Sequence, residues 1–215
     1  MSEALLHWGP AVFLWLAAAY KLPALHRNAG DPGLRAYCLT IVSFAMAFTL
    51  LAPPVYQAFD RLAGVPNIAR LLANSLGLVS CWSVQAFLAY LSKPASEART
   101  EIRRLGWALA GCLILMTLCF AAAPVDQEAV DFSGRYGAAP FVLEYRLIFL
   151  SYLGLAAANV ARLSWRFAGI ADRPALRLGL RLNAIGGLVG LIFVAQEGLY
   201  VIANRLALSY PIPNP

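Results

Sequence analysis

Apolar runs of about twenty residues alternate along the chain with short segments that hold most of its prolines, glycines and charges. Six runs stand out: Leu5–Leu22, Ala36–Phe59, Ile68–Leu91, Leu105–Ala123, Pro140–Trp165 and Leu178–Leu206. A helix of about 20 apolar residues crosses roughly 30 Å of hydrocarbon. The pattern predicts an all-α membrane protein with six transmembrane helices in a single polytopic domain, residues 1–215. The intervening segments carry turn and breaker signals: His26–Arg35 with Gly30-Asp31-Pro32-Gly33, Asp60–Asn67, Ser92–Arg104, Pro124–Ala139, and Arg166–Arg177 with Asp172-Arg173-Pro174.

Composition strengthens that reading. The 215 residues are 60% hydrophobic and 13% charged, with a mean hydropathy of +0.66. A soluble domain carries about a quarter charged residues. The net charge of +6 could suggest nucleic acid, but basic residues also collect in cytoplasmic loops of membrane proteins, and no nucleic-acid partner is expected. Alternate connections hold Lys21, Arg27 and Arg35, then Lys93, Arg99, Arg103 and Arg104, then Arg162, Arg166, Arg173, Arg177 and Arg181. The opposite side holds Arg61, Arg70, Arg135, Arg146 and Arg205. Twelve against five puts the first set in the cytoplasm and both termini outside. Trp8, Trp107, Tyr56, Tyr136 and Tyr200 fall near span ends, where amphipathic rings settle. Arginine far exceeds lysine in an Ala- and Leu-rich chain, which points to the plasma membrane of a bacterium. The first run lacks a basic leader and a small-residue cleavage site, so it reads as a retained helix.

The chain also echoes itself. "DRLAGVPNIAR" at Asp60 resembles "NRLALSYPIPNP" at Asn204, and "AGDPGLR" at Ala29 resembles "IADRPALR" at Ile170. Tyr56 and Tyr200 stand at the same offset as Arg61 and Arg205. The fifth span then answers to the first and the sixth to the second. A shift of four spans preserves direction, so the expected architecture is a parallel repeat of three helices, a linker helix and three helices, without its seventh member.

The run "PPVYQAFDRLAGVPNIARLLANSLGLVSCWSVQAFL", the loop "APVDQEAVDFSGRYGAAPFVLEYRL" and "ADRPALRLGLRL" resemble a family of actinobacterial multi-pass membrane proteins labelled as transporters without a demonstrated substrate. The resemblance covers nearly all of the chain. It implies a seven-helix membrane region followed by a cytosolic domain of unknown function, and it brings no catalytic residues.

Site candidates come from polar residues inside the spans, which are expensive in hydrocarbon and face the bundle interior. In the sixth span Gly179, Asn183, Gly186, Gly190 and Glu197 recur at helical spacing, and Gly186-xxx-Gly190 is a small-xxx-small packing pattern. In the third span Arg70, Asn74, Gly77, Cys81 and Gln85 form a similar stripe. Glu197, Gln196, Arg70, Asn74, Glu144 and Arg146 fall in the outer part of their spans, and Pro53-Pro54 breaks the second span on the same side. They predict a polar vestibule open to the exterior, with Glu197 paired to Arg70 or Arg146. Gly179, Asn183, Gly186 and Gly190 are assigned to helix packing.

Other chemistry is sparse. Cys38, Cys81, Cys112 and Cys119 lie in apolar runs without metal-ligand spacing, and His7 and His26 are isolated, so neither a metal nor a cofactor is expected. No nucleophile–base set, HExxH or phosphate-binding glycine loop appears, so the chain does not read as an enzyme. Two functions remain: a small-molecule transporter or ligand-binding bundle, or a membrane sensor or anchor that regulates a cytosolic domain or partner. The expected partners are the lipid bilayer and a small-molecule ligand, with a cytosolic protein or a second copy of the chain beside them.

Overall fold

The computed structural model describes residues 2–129, 132–137 and 139–205. The end of the chain expected to match the Asp60 motif, including Ile212-Pro213-Asn214, lies outside them, as does the side chain of Arg205.

Eight helices fill the described residues, and none of those residues is in a strand: α1 (Ser2–Arg27), α2 (Pro32–Leu51), α3 (Pro53–Ala63), α4 (Ile68–Ser92), α5 (Ala95–Ala122), α6 (Phe132–Tyr136), α7 (Val142–Ile170) and α8 (Pro174–Arg205). Five of them, α2, α4, α5, α7 and α8, are long and apolar enough to cross a membrane. That is one fewer than the six expected spans. α1 is long but not among the five, because Glu3, His7, Gly9, Lys21 and His26 dilute its apolar run.

Local chemistry sets the boundaries. Asp31 starts α2 by accepting hydrogen bonds from the Gly33 and Leu34 amides, with Pro32 opening the first turn. The second apolar run is not one helix. A proline disfavours helical backbone at the residue before it, so Ala52, ahead of Pro53-Pro54, turns extended (ψ 125°) and α2 stops. α3 restarts as a short amphipathic helix and ends at Gly64 in the left-handed region (φ 67°). The Ser92–Arg104 segment is not a loop. Only Lys93 and Pro94 leave the helix, and α5 begins at Ala95, held by fully buried Ala98, a Lys93–Glu101 ion pair, and the Trp82 indole donating to the Ile102 carbonyl at 3.1 Å.

Side-chain pairings give the directions. Trp15 meets Thr49 and Lys21 meets Tyr37, so α1 and α2 run antiparallel. Ser80 donates to the Thr40 carbonyl and Phe87 packs on Tyr37, so α2 and α4 do too. Asn74 reaches Tyr145 and Gln85 reaches Asn159, so α4 and α7 are parallel. α8 returns antiparallel along α7, because Asn183 meets Ser164 and Glu197 meets Arg146. α4 is central and packs on α2, α5 and α7, while α1 leans on α2 and α8 on α7.

Two apolar clusters hold this frame. Leu71, Leu78, Met116, Phe120, Tyr145 and Tyr152 join α4, α5 and α7. Leu88, Val160, Ala168 and Leu180 join the opposite ends of α4, α7 and α8. The outer faces of α1 and α8 stay apolar and exposed, with Phe13, Leu16 and Tyr20 on one and Leu178, Leu182 and Ile192 on the other. That belt fits a hydrocarbon environment rather than water.

A polar clasp closes the end where α3 sits. Asp60 accepts from the Asn67 amide at 2.6 Å and the Ala69 amide at 2.8 Å, capping the start of α4. Asn67 is fully buried in left-handed backbone (φ 62°). Its amide accepts from the Tyr56 hydroxyl (2.8 Å) and the Ala129 amide (2.9 Å), and donates to the Gln127 carbonyl (2.8 Å). The Asp60–Asn67 segment thus ties α3, α4 and the connection before α6 together.

Candidate functional site

The α7–α8 hairpin positions the site. Their seam is a heptad-like stripe on α8: Asn183, Gly187, Gly190, Val194 and Glu197, spaced alternately four and three. Asn183 donates to the Ser164 hydroxyl at 3.0 Å. Gly187 meets Ala157 and Ala161, and a Cβ there would lie 2.9 Å from the Ala157 carbonyl oxygen. Gly190 also abuts Ala157, with a Cβ at 3.6 Å from its methyl group. The expected packing stripe needs correction. Gly179 and Gly186 are exposed and a Cβ on either would meet nothing, whereas Gly187, the neighbour of Gly186, makes the close approach. One residue is about 100° around a helix, so the two glycines face different surroundings.

Two turns beyond Gly190 on that seam, the Glu197 carboxylate makes an ion pair with the Arg146 guanidinium. Both residues are buried, at 7% and 8% exposure. The pair lies on the wall of a cavity of about 620 Å³ bounded by α2, α4, α7, α8 and Phe132. Arg70 and Asn74 line the same cavity from α4. Asn74 donates to the Tyr145 hydroxyl at 2.8 Å, and the Arg70 guanidinium lies 6.0 Å from the centre of the Phe132 ring. Phe44, Phe48, Phe149, Phe193, Leu150 and Leu153 are among the apolar residues that line the rest.

Four of the six candidates therefore converge on one cavity: Arg70, Asn74, Arg146 and Glu197. Glu144 and Gln196 do not line it. Glu144 is exposed, two residues from Arg146 and so on the far side of α7. Gln196 is half-buried, one step round α8 from Glu197. Of the two arginines proposed for Glu197, the structure pairs it with Arg146. Sequence reasoning missed Tyr145 and Phe132, because an aromatic in an apolar run gives no sign of which neighbour it will meet. The signal for Tyr145 was its adjacency to Arg146 at the start of α7.

Lower on the same helices the polar residues serve packing. Gln85 accepts from Asn159 at 2.8 Å and donates to the Cys81 carbonyl, and Arg162 donates to Asn159 at 3.1 Å. Among the described residues no cluster of three His, Cys, Asp or Glu side chains could hold a metal.

Comparison of the chain with protein-family models, with curated proteins and with solved structures finds no match. The site must be interpreted from its own geometry.

Proposed function

We propose that this chain is a small-molecule-binding membrane bundle whose site is the cavity between α2, α4, α7 and α8. The observation that carries the reading is the buried Arg146–Glu197 pair on the wall of that cavity, with Arg70 and Asn74 beside it. Two buried charges are costly in hydrocarbon, and packing alone would be served as well by apolar side chains. Intramembrane ionisable groups that line a cavity mark ligand or ion pathways. A volume of about 620 Å³ is in the range that holds drug-sized ligands.

On this reading α1 is the sixth crossing, the bilayer is the plasma membrane of a bacterium, and both termini face outward, as the basic residues argue. Arg70, Arg146 and Glu197 then sit in the outer part of the bundle, so the cavity serves the external side. The resemblance to actinobacterial transporters is consistent with ligand handling, and transport rather than sensing is the form we favour.

Native mass spectrometry of the purified protein tests the reading. The wild type should retain a non-covalent small-molecule adduct, and Leu153→Trp, which puts an indole into the cavity, should weaken its retention. An unadducted wild type, or an adduct unchanged in Leu153→Trp, would refute the assignment.

A further inference from the structure

We infer that the cavity takes its ligand from the bilayer: a lipophile whose hydrocarbon chain enters sideways between α2 and α8. This rests on the cavity being a ligand site and adds the chemical class of the ligand and its route.

The side of the cavity is open and apolar. Among the described residues α2 packs on α1, α3 and α4, and α8 packs on α7, so the two helices that flank the cavity do not close on each other. Three lining residues are also exposed on the outside of the bundle: Phe48 of α2 at 37%, and Val189 and Phe193 of α8 at 59% and 43%. A side chain that both lines a cavity and stays exposed belongs to its rim. Val189 and Phe193 stand one turn apart and continue an exposed apolar stripe of α8 that runs through Leu182 and Ile185. Such a stripe on a spanning helix lies against acyl chains. The rim therefore opens onto hydrocarbon.

The interior suits a chain. Beyond Asn74 on α4 and Arg146 on α7, the lining of those helices is Gly77, Phe149, Leu150 and Leu153. A Cβ at Gly77 would meet nothing within 4 Å, so the glycine leaves room there. From Arg146 to Leu153 is seven residues, so the apolar part extends about 10 Å along the helices. A sugar or an amino-acid zwitterion at that depth would set its polar groups against phenylalanine and leucine without partners. The polar end does not ask for a charged head. The Glu197 carboxylate is paired with Arg146, Asn74 donates to the Tyr145 hydroxyl, and the Arg70 guanidinium lies by the Phe132 ring. These groups are held by the protein itself, so selection falls to the apolar body of the ligand.

The test uses decanol with a diazirine at the end of its chain, added to nanodiscs holding the full chain and photolysed, with cross-linked residues read by peptide mass spectrometry. Leu150 lines the cavity and is buried, whereas Leu182 is exposed on the outer face of α8. The label at Leu150 should saturate and be displaced by plain decanol and by decanoate alike, while the label at Leu182 should rise in proportion to the probe. Val189→Trp, which puts an indole at the rim, should lose the Leu150 label. Leu188→Trp, exposed beside it but outside the lining, should keep it. A phosphatidylcholine with the diazirine on an acyl chain separates the two sources of a hydrocarbon chain. Labelling of Leu150 by that lipid assigns a bilayer phospholipid, labelling by decanol alone assigns a free lipophile, and either sustains the inference. An undiminished Leu150 label in Val189→Trp overturns the lateral route, and displacement by decanoate but not by decanol overturns selection by the chain. No saturable label at Leu150, with the wild-type adduct still present in native mass spectra and weakened in Leu153→Trp, overturns the lipophile and leaves the cavity as a site for a polar ligand. If that adduct is absent too, the site assignment fails as well.

Discussion

α4 and α7 run parallel and carry two polar layers, one near each end, and the layers behave differently. In the inner layer every polar side chain has a near neighbour: Gln85 with Asn159, Asn159 with Arg162, Asn183 with Ser164. Gly187 presses on Ala157 between them, where a Cβ would lie 2.9 Å from the Ala157 carbonyl oxygen. In the outer layer Arg70, Asn74, Arg146 and Glu197 gather round a cavity of about 620 Å³. Both layers look alike as sequence, a polar residue every third or fourth position. The difference is that the inner layer is neutral at its core and sealed by small residues, whereas the outer is charged and bordered by α2 and α8, which do not close on each other. Polar residues in a span therefore do not identify a site. Charge together with unfilled volume is what sets the proposed site apart.

The largest effect should come from unbalancing the outer layer. Arg146→Leu leaves a buried carboxylate and should cost about 3–5 kcal/mol of stability. The double variant Arg146→Met, Glu197→Leu should recover most of that while losing the small-molecule adduct. Unfolding titrations in mixed micelles read the first, and native mass spectrometry the second. A single variant as stable as wild type would show that the pair is solvated and that the outer layer is a surface.

The seam between the layers gives the next test. Gly187→Leu must push α8 away from α7 and should cost about 1–3 kcal/mol, while Gly186→Leu should stay within about 0.5 kcal/mol of wild type. The reverse order would restore the Gly186 stripe and contradict the packing described here. In the inner layer, Gln85→Leu should cost about 1 kcal/mol, as one interhelical hydrogen bond in a membrane does, and leave ligand binding untouched. Loss of binding in that variant would join the two layers into one functional unit.

The smallest effect concerns the clasp above the cavity. Burial pushes the Tyr56 phenol up to about 12, against the opposing pull of the Arg70 guanidinium. Its neutral form is favoured by the fold, so its contribution is complete below about pH 10 and is lost as pH rises through about 12. Stability should fall across that window in the wild type and fall less in Tyr56→Phe.

Much of the fold could be read from the chain because apolar length and breakers act locally. Asp31-Pro32, Pro53-Pro54 and Gly64 each force or end a helix through their own backbone chemistry. The Ser92–Arg104 segment misled because charge was read as a loop signal, whereas Arg99, Arg103 and Arg104 lie on the exposed side of a helix that continues to Ala122. At the site, depth along each helix was readable, since it needs only residue counting. Facing was not. Gly186 and Gly187, or Gln196 and Glu197, differ by one step of rotation, and only the neighbouring helix decides which step points inward. The repeat demands that α1 parallel α7 and α2 parallel α8, and they do, but simple alternation of spans gives the same directions. The motif at Asp60 has a structural role of its own, the clasp of Tyr56, Asp60 and Asn67.

The contrast between the layers can be measured directly on α4. In a background with Cys38, Cys81, Cys112 and Cys119 replaced by alanine, Gly77→Cys and Ser83→Cys are exposed separately to a small, membrane-impermeant methanethiosulfonate added outside intact cells. A Cβ at Gly77 meets nothing within 4 Å and points at the cavity lining, whereas Ser83 is fully buried. The account predicts modification of Gly77→Cys and no modification of Ser83→Cys. Protection of Gly77→Cys, or equal labelling of the two, would contradict an outer cavity set above a sealed inner layer.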